Sequence, residues 1–223
     1  METFRVLSTK KLLPNHKQFL LNAGLSVLEA DFISVSLKAF KIDSAKDNLI
    51  FTSQNAVISF LHNGNSAQLK NNGIFCVGVK TKSALEHYGY KVKACTDYAE
   101  DLAKTITKEY AGESFTFFSG NLRKDTLPDA LKAAGIEMNE IQAYETVLSP
   151  HKINSKLNGI LFYSPSGVES YLKENTIKEE TCFCIGTTTA NALKDITQNI
   201  VIANQPSVEN VIIKCINYYK EII

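Results

Sequence analysis

The stretch "FYSPSGVESYL", residues 162–172, ends an apolar run at Tyr163, breaks into Ser164, Pro165, Ser166 and Gly167, and resumes with helical spacing. This pattern predicts a strand that turns directly into a helix N-terminus. Ser164 or Ser166 would cap the unpaired N–H groups, and Pro165 is tolerated because the first helical turn needs no amide donor. Such a turn is also a cradle for an anion, since free N–H groups and the positive end of a helix dipole point the same way.

The turn has a twin. "FTSQNAVISFL" (51–61) carries Phe, Ser, Val, Ser and Leu in register with it, and "FCVGVKTKSAL" (75–85) lies over "FCIGTTTANAL" (183–193) at nearly the same offset. A weaker match pairs "FLLNAGL" (19–25) with "ALKAAGI" (130–136). Two α/β units of roughly 110 residues fit domain-size expectations, and two copies are too few for a solenoid. Strands are expected near 3–8, 25–30, 48–53, 74–78, 114–119, 136–147, 159–163, 182–186 and 199–202, with helices in most gaps, which predicts an α/β protein with largely parallel sheets. In "DYAEDLAKTITKEYA" the apolar positions Tyr98, Leu102, Ile106 and Tyr110 recur every four residues, with Asp97 as the expected cap. "SVENVIIKCINYYKEI" behaves in the same way behind Pro206 and Ser207.

Composition narrows the chemistry. Lys and Arg total 24 against 23 Asp and Glu, so no global field draws the chain to nucleic acid or to a membrane surface. An anionic ligand must be held locally. Only Arg5 and Arg123 carry guanidinium groups, which leaves backbone amides, hydroxyls and Lys as the main donors. No stretch approaches the roughly 18 consecutive apolar residues of a membrane span, and the first residues lack a basic region followed by an apolar run, so a cytoplasmic protein is expected. The five Cys (76, 95, 182, 184 and 215) read as buried free thiols, with Cys182 and Cys184 expected on opposite faces of one strand. The four His are scattered without metal spacing, and G-x-x-x-x-G-K-[ST], G-x-G-x-x-G and G-x-S-x-G are all absent. The expectation is a site with neither metal nor cofactor.

Hydroxyl-rich strand-to-helix turns therefore hold the candidate site: Thr52 and Ser53, Val79 to Thr81, Ser164 to Gly167, and Thr187 to Thr189. Any one is explained by capping alone, but four of matching type at the carboxyl ends of parallel strands point to a ligand. A fifth turn, "FFSGNLRKDTL", groups Ser119, Gly120, Asn121 and Arg123; its other reading is a loop capped by Asp125 before a helix at 126–134. Tyr144, in "IQAYETVLS", ends a long extended run, where a phenol either packs or donates a proton to a leaving group.

Taken in this order and over this length, "FTSQNAV", "VGVKT", "AYET", "FYSPSGVESYL" and "CIGTTTANAL" resemble the uroporphyrinogen-III synthase family, across essentially the whole chain. The resemblance implies a lyase of tetrapyrrole (haem) biosynthesis that closes linear hydroxymethylbilane to uroporphyrinogen III, with loss of water and inversion of the last ring. It implies two small flavodoxin-like α/β domains, 1–36 plus 148–223 and 39–145, joined by a two-stranded ladder, with the site in the cleft between them and the protein a monomer. Residues carried over as cleft-lining are Ser53, Thr81, Ser164, Ser166, Gly167, Thr188 and Thr189, beside Ser119, Gly120 and Asn121 from the fifth turn, with Tyr144 matching the tyrosine that assists departure of the hydroxyl. This chain departs from the family pattern at "STKK" (8–11), where Lys10 stands for a common Arg, and at Glu145 and Thr187. The alternatives are a two-lobed module that binds a small anion and a paralogue without catalysis.

Overall fold

The computed structural model describes residues 4–221. Two compact units divide the chain, Met1–Ser34 with Val147–Ile223 and Val35–Thr146. The first begins with β1 (Arg5–Ser8), α1 (Pro14–Asn22) and β2 (Ser26–Glu29), and β3 (Ile33–Leu37) carries the chain onward. The second unit contains β4 (Asn48–Phe51), α2 (Gln54–His62), a 3-10 turn at Ser66–Leu69, β5 (Gly73–Val77), α3 (Val79–His87), β6 (Val92–Thr96), α4 (Ala99–Glu109), β7 (Phe115–Gly120) and α5 (Thr126–Ala133). It ends in β8 (Met138–Leu148), which leads back to β9 (Gly159–Phe162), α6 (Pro165–Glu174), β10 (Thr181–Cys184), α7 (Thr187–Asn191), β11 (Ile200–Ile202) and α8 (Val208–Lys220).

The five-stranded sheet of the first unit has the order β11-β10-β9-β1-β2, all parallel. Read from its own first strand this is the 2-1-3-4-5 order of flavodoxin-like folds. The second sheet, β3-β8-β7-β4-β5-β6, is parallel from β8 to β6, while β3 runs antiparallel to β8. That direction follows from two bonds, Ser149 N–H to the Phe32 carbonyl and Lys38 N–H to the Ala143 carbonyl: as numbers rise along one strand they fall equally along the other.

The two sheets are one arrangement with the chain opened at different places. Placing β9 on β4, β10 on β5, β11 on β6, β1 on β7 and β2 on β8 makes the orders coincide. The three sequence matches fall on these equivalent segments, including the weak one. In that pair α1 and α5 end alike: Gly24 (φ 80°) and Gly135 (φ 70°) adopt the left-handed conformation, and the Leu25 and Ile136 amides reach back to the Leu20 and Leu131 carbonyls. This is the Schellman stop, and it is why glycine recurs there.

Both sheets are covered on both faces, so the central strands are apolar throughout rather than alternating. In β4, Leu49 and Phe51 enter one core with Val57, Phe60 and Phe118, while Ile50 enters the other with Leu102, Ile106, Phe117 and Leu131. In β10, Cys182 and Cys184 share one core with Phe162 and Tyr171, and Phe183 faces the opposite core. The two thiols thus lie on the same face, not opposite ones, because a strand repeats every second residue. Burial pushes both thiols up to about 12.

Two strands go beyond the nine expected, β3 and β6. Both are edge strands with polar or exposed positions, as in "ISVSL" and "VKACT", so their sequences lack the continuous apolar signal of the interior strands. Ser207 caps α8 by accepting the Asn210 N–H at 3.2 Å, as expected. Asp97 does not cap α4. The helix starts at Ala99 behind Tyr98, whose carbonyl accepts the Thr96 hydroxyl at 2.8 Å.

In the second unit Phe118 stacks on Phe51 with ring centres 5.0 Å apart and meets Phe60 at the same distance. Phe118→Ala is expected to cost about 3–5 kcal/mol of stability, the usual range for truncating a buried ring. Urea unfolding measures it; a loss below about 1 kcal/mol would mean that this cluster is not the centre of the unit's core.

Candidate active site

In open α/β sheets, ligands bind beyond the carboxyl ends of the strands where the order reverses, because adjacent helices there depart to opposite faces. The first sheet reverses between β1 and β9, the second between β4 and β7. The hydroxyl-rich turns of the sequence lie at these two points and one strand further out, at the ends of β5 and β10.

In the first unit Ser164 caps α6. Its Oγ accepts the Gly167 N–H at 3.0 Å and lies 3.0 Å from Ser166 Oγ, and Pro165 occupies the first helical position. Gly167 is buried against a hydroxyl the sequence reading did not select: a Cβ there would lie 3.6 Å from Thr9 Oγ1. Thr9, at the end of β1, donates to the Leu161 carbonyl at 2.8 Å and joins the two strands at the reversal. Its signal was present, since "STKK" is another hydroxyl pair ending an apolar strand. Beside it Lys10 holds its ammonium 5.9 Å above the Tyr163 ring, and the Tyr163 hydroxyl lies 3.3 Å from Ser8 Oγ. Burial pushes the Tyr163 phenol well above its ordinary range. At the end of β10, Thr188 is half-buried and Thr189 buried in the first turn of α7.

In the second unit Ser53 caps α2 by accepting the Asn55 N–H at 3.1 Å. Thr81 is buried in the first turn of α3, its N–H donating to the Gly78 carbonyl at 3.0 Å. The fifth turn is organised inward. Ser119 Oγ donates to Glu140 at 2.5 Å, Arg123 forks onto the same carboxylate at 2.6 and 2.8 Å, and Asp125 pairs with Arg123 instead of capping α5. Asn121 grips the backbone of β8: its Nδ2 donates to the Thr146 carbonyl at 3.1 Å and its Oδ1 accepts the Thr146 N–H at 2.7 Å. Of this group, Gly120 is the residue that meets Tyr144.

Tyr144 owes its direction to an irregularity in β8. Ser119 pairs with Gln142 but Gly120 pairs with Tyr144, so Ala143 is an extra residue on β8, a bulge. The bulge lays the half-buried Tyr144 ring against Gly120. A Cβ on Gly120 would fall 2.4 Å from the ring carbon Cζ and 2.8 Å from the hydroxyl oxygen. Glycine is required there by contact, not by backbone angle. Tyr144 and Gly120 thus stand together at the reversal, with Ser53 at the end of the neighbouring strand.

These features define a two-unit, doubly wound α/β protein whose carboxyl-end turns present helix N-termini, hydroxyls and one glycine-backed phenol. The comparisons agree. The model of the uroporphyrinogen-III synthase HemD family matches residues 22–213, and the chain belongs to that family. A uroporphyrinogen-III synthase of Chlorobaculum parvum is 28% identical over 168 residues, covering 66% of this chain and 68% of that protein. Among solved structures, the uroporphyrinogen-III synthetase of Helicobacter pylori superposes with a TM-score of 0.71 at 19% identity, over 97% of this chain and 100% of that one. A mutant uroporphyrinogen III synthase of Thermus thermophilus gives 0.72 at 13% identity, over 99% and 100%. Among the described residues no group of three or more His, Cys, Asp or Glu is placed to hold a metal ion, and no helix is long and apolar enough to cross a membrane.

Two outcomes follow from this geometry. Ser164→Ala is expected to cost about 1 kcal/mol through the lost cap, read as a lowered urea midpoint; an unchanged midpoint would mean that the cap does not stabilise α6. For Glu140, burial pushes the carboxyl up, but hydrogen bonds from Arg123 and Ser119 outweigh it and hold the group below its ordinary 4.5. A lowered folded value gives stability that is present above pH 4.5 and fades as pH falls through the folded value. Glu140→Gln is therefore expected to lose about 1 kcal/mol at about pH 7, the pair being partly exposed, with the gap from wild type closing below pH 4.5. A gap that stays constant down to about pH 3 would contradict it.

Proposed function

We propose that this chain is a lyase that cyclises linear hydroxymethylbilane to uroporphyrinogen III, losing one water and inverting the last pyrrole ring. Family membership supports the reaction. The observation that carries the reading of the site is Tyr144, turned by the bulge onto Gly120 at the point where the second sheet reverses.

The substrate is a flexible tetrapyrrole with eight carboxylates, and its chemistry sets the protein's tasks. The electron-rich pyrrole drives departure of the hydroxyl, so the leaving oxygen needs a proton. Tyr144 supplies it as general acid. Dehydration and ring closure are redox-neutral, so the balance requires no electron acceptor. The remaining work is to hold the chain so that its reactive ends meet and to disfavour closure without inversion. Helix N-termini at Ser53, Thr81, Ser164 to Gly167, Thr188 and Thr189 suit carboxylates, because their N–H groups and dipoles attract negative charge without a stack of cations. Ser119 and Asn121, whose polar atoms are engaged within the second unit, contribute by shaping the turn around Gly120. We further propose that the folding domains are 1–36 plus 148–223 and 39–145, and that the protein acts as a monomer in the cytoplasm.

Purified protein given freshly made hydroxymethylbilane is expected to yield mainly the type III isomer, resolved chromatographically after oxidation to porphyrin. Type I product alone would end the assignment. Tyr144→Phe is expected to lower kcat about 10²-fold, within the range of a lost general acid, while circular dichroism stays that of the folded protein. An unchanged kcat would remove the proposed role from this phenol and leave the enzyme assignment standing.

A further inference from the structure

The backbone carrying Tyr144 is tied on both sides of that residue by side chains of the same unit. We propose that Ser59 and Asn121 are positioning residues that act through Tyr144, an inference that rests on the catalytic role proposed above for that phenol. Ala143, the extra residue of the bulge, directs its carbonyl at α2, where the buried Ser59 Oγ donates to it at 2.5 Å. The same carbonyl accepts the Lys38 N–H at 2.9 Å. Two residues beyond Tyr144, Asn121 holds both polar groups of Thr146 in the reciprocal pair described above. A bulge breaks the ladder where it occurs, so its backbone needs other partners to stay in one conformation. Beside the Lys38 N–H, Ser59 and Asn121 supply side-chain partners to this backbone, one before the phenol and one after it. Ser59 also lies on the helix capped by Ser53, which fastens the phenol-bearing strand and the proposed carboxylate turn to one rigid element.

The other unit supplies the comparison. Ser170 is the counterpart of Ser59 in the sequence repeat and is likewise fully buried, on α6. Its hydroxyl has no hydrogen-bond partner among the described residues. The strand equivalent to β8 is β2, and at the offset of the repeat Phe32, just beyond β2, is the counterpart of Ala143: its carbonyl accepts the Ser149 N–H at 2.9 Å, as that of Ala143 accepts the Lys38 N–H. Ser170 does not reach that carbonyl, whereas Ser59 reaches the one of Ala143. The buried serine and the strand carbonyl recur in both units, so shared helix packing does not account for the Ser59 bond, which is made beneath Tyr144 and not in the first unit.

The test compares kcat and KM on hydroxymethylbilane for Asn121→Ala, Ser59→Ala and Ser170→Ala, and for the first two combined with Tyr144→Phe, with folding followed by circular dichroism. Asn121→Ala and Ser59→Ala are each expected to lower kcat about 10-fold with KM held within about twofold, since misplacing a reacting group affects the chemical step more than binding. In the Tyr144→Phe background neither is expected to lower kcat further, and Ser170→Ala is expected to match wild type. Full kcat in both single variants, or an equal drop with and without the phenol, would overturn the inference. Unchanged turnover in Tyr144→Phe alone would instead overturn the role of the phenol, a result that the other variants cannot mimic. Should Ser59→Ala fail to fold, Asn121→Ala decides, because residue 121 is exposed.

Discussion

Parallel strands covered on both faces can leave their sheet along one edge only, and every structural choice in this chain descends from that constraint. Because β1, β4, β7 and β9 all end at the carboxyl edge of their sheets, each following helix begins there. A helix start carries N–H groups without intrahelical partners, and these must be capped, hydrated or bound to a ligand. Ser53, Ser164 and Ser207 answer it with side-chain oxygens. The density of hydroxyls at these turns is thus a consequence of the parallel sheet first, and the carboxylate binding proposed above would draw on it second.

The same constraint, met twice, leaves room for the two units to differ. Their strand orders coincide once the chain is reopened at an equivalent point, and their helices stop at equivalent glycines, Gly24 and Gly135. The exception is the strand after the reversal. In the first unit β2 is four residues long and regular; in the second β8 is eleven residues long and bulged at Ala143. The phenol, the glycine that admits it and the hydroxyl bonded to Ala143 all belong to the longer copy. What the longer strand adds to the shared pattern is the side chain proposed above to react, set against a glycine that leaves room for it.

The inward networks show how polar groups near a site divide their roles. Arg123 is one of two guanidinium groups in the chain, yet Glu140 and Asp125 engage it, and Ser119 joins the same carboxylate. These groups fasten the β7 turn to β8 and fix the surface on which Tyr144 rests.

Much of this was readable from residue order. The repeated "FxS" turns, the apolar strand runs and the Ala-Gly helix stops are local, because capping, burial on two faces and left-handed backbone each act within a few residues. They determined the fold class, the interior strands, the duplicated turns and the resemblance to a family. Edge strands β3 and β6 were missed because their polar positions carry no burial signal, and Asp97 was read as a cap, with Asp125 as one of two readings of its turn, although a carboxylate's partner is settled by what else comes near. Tertiary structure alone decided that Asn121 holds Thr146, that Ser59 holds Ala143 and that Gly120 makes room for Tyr144, since each pair joins residues more than twenty positions apart. Such pairings depend on strand order and on one inserted residue, and neither leaves a periodicity in the chain to be read.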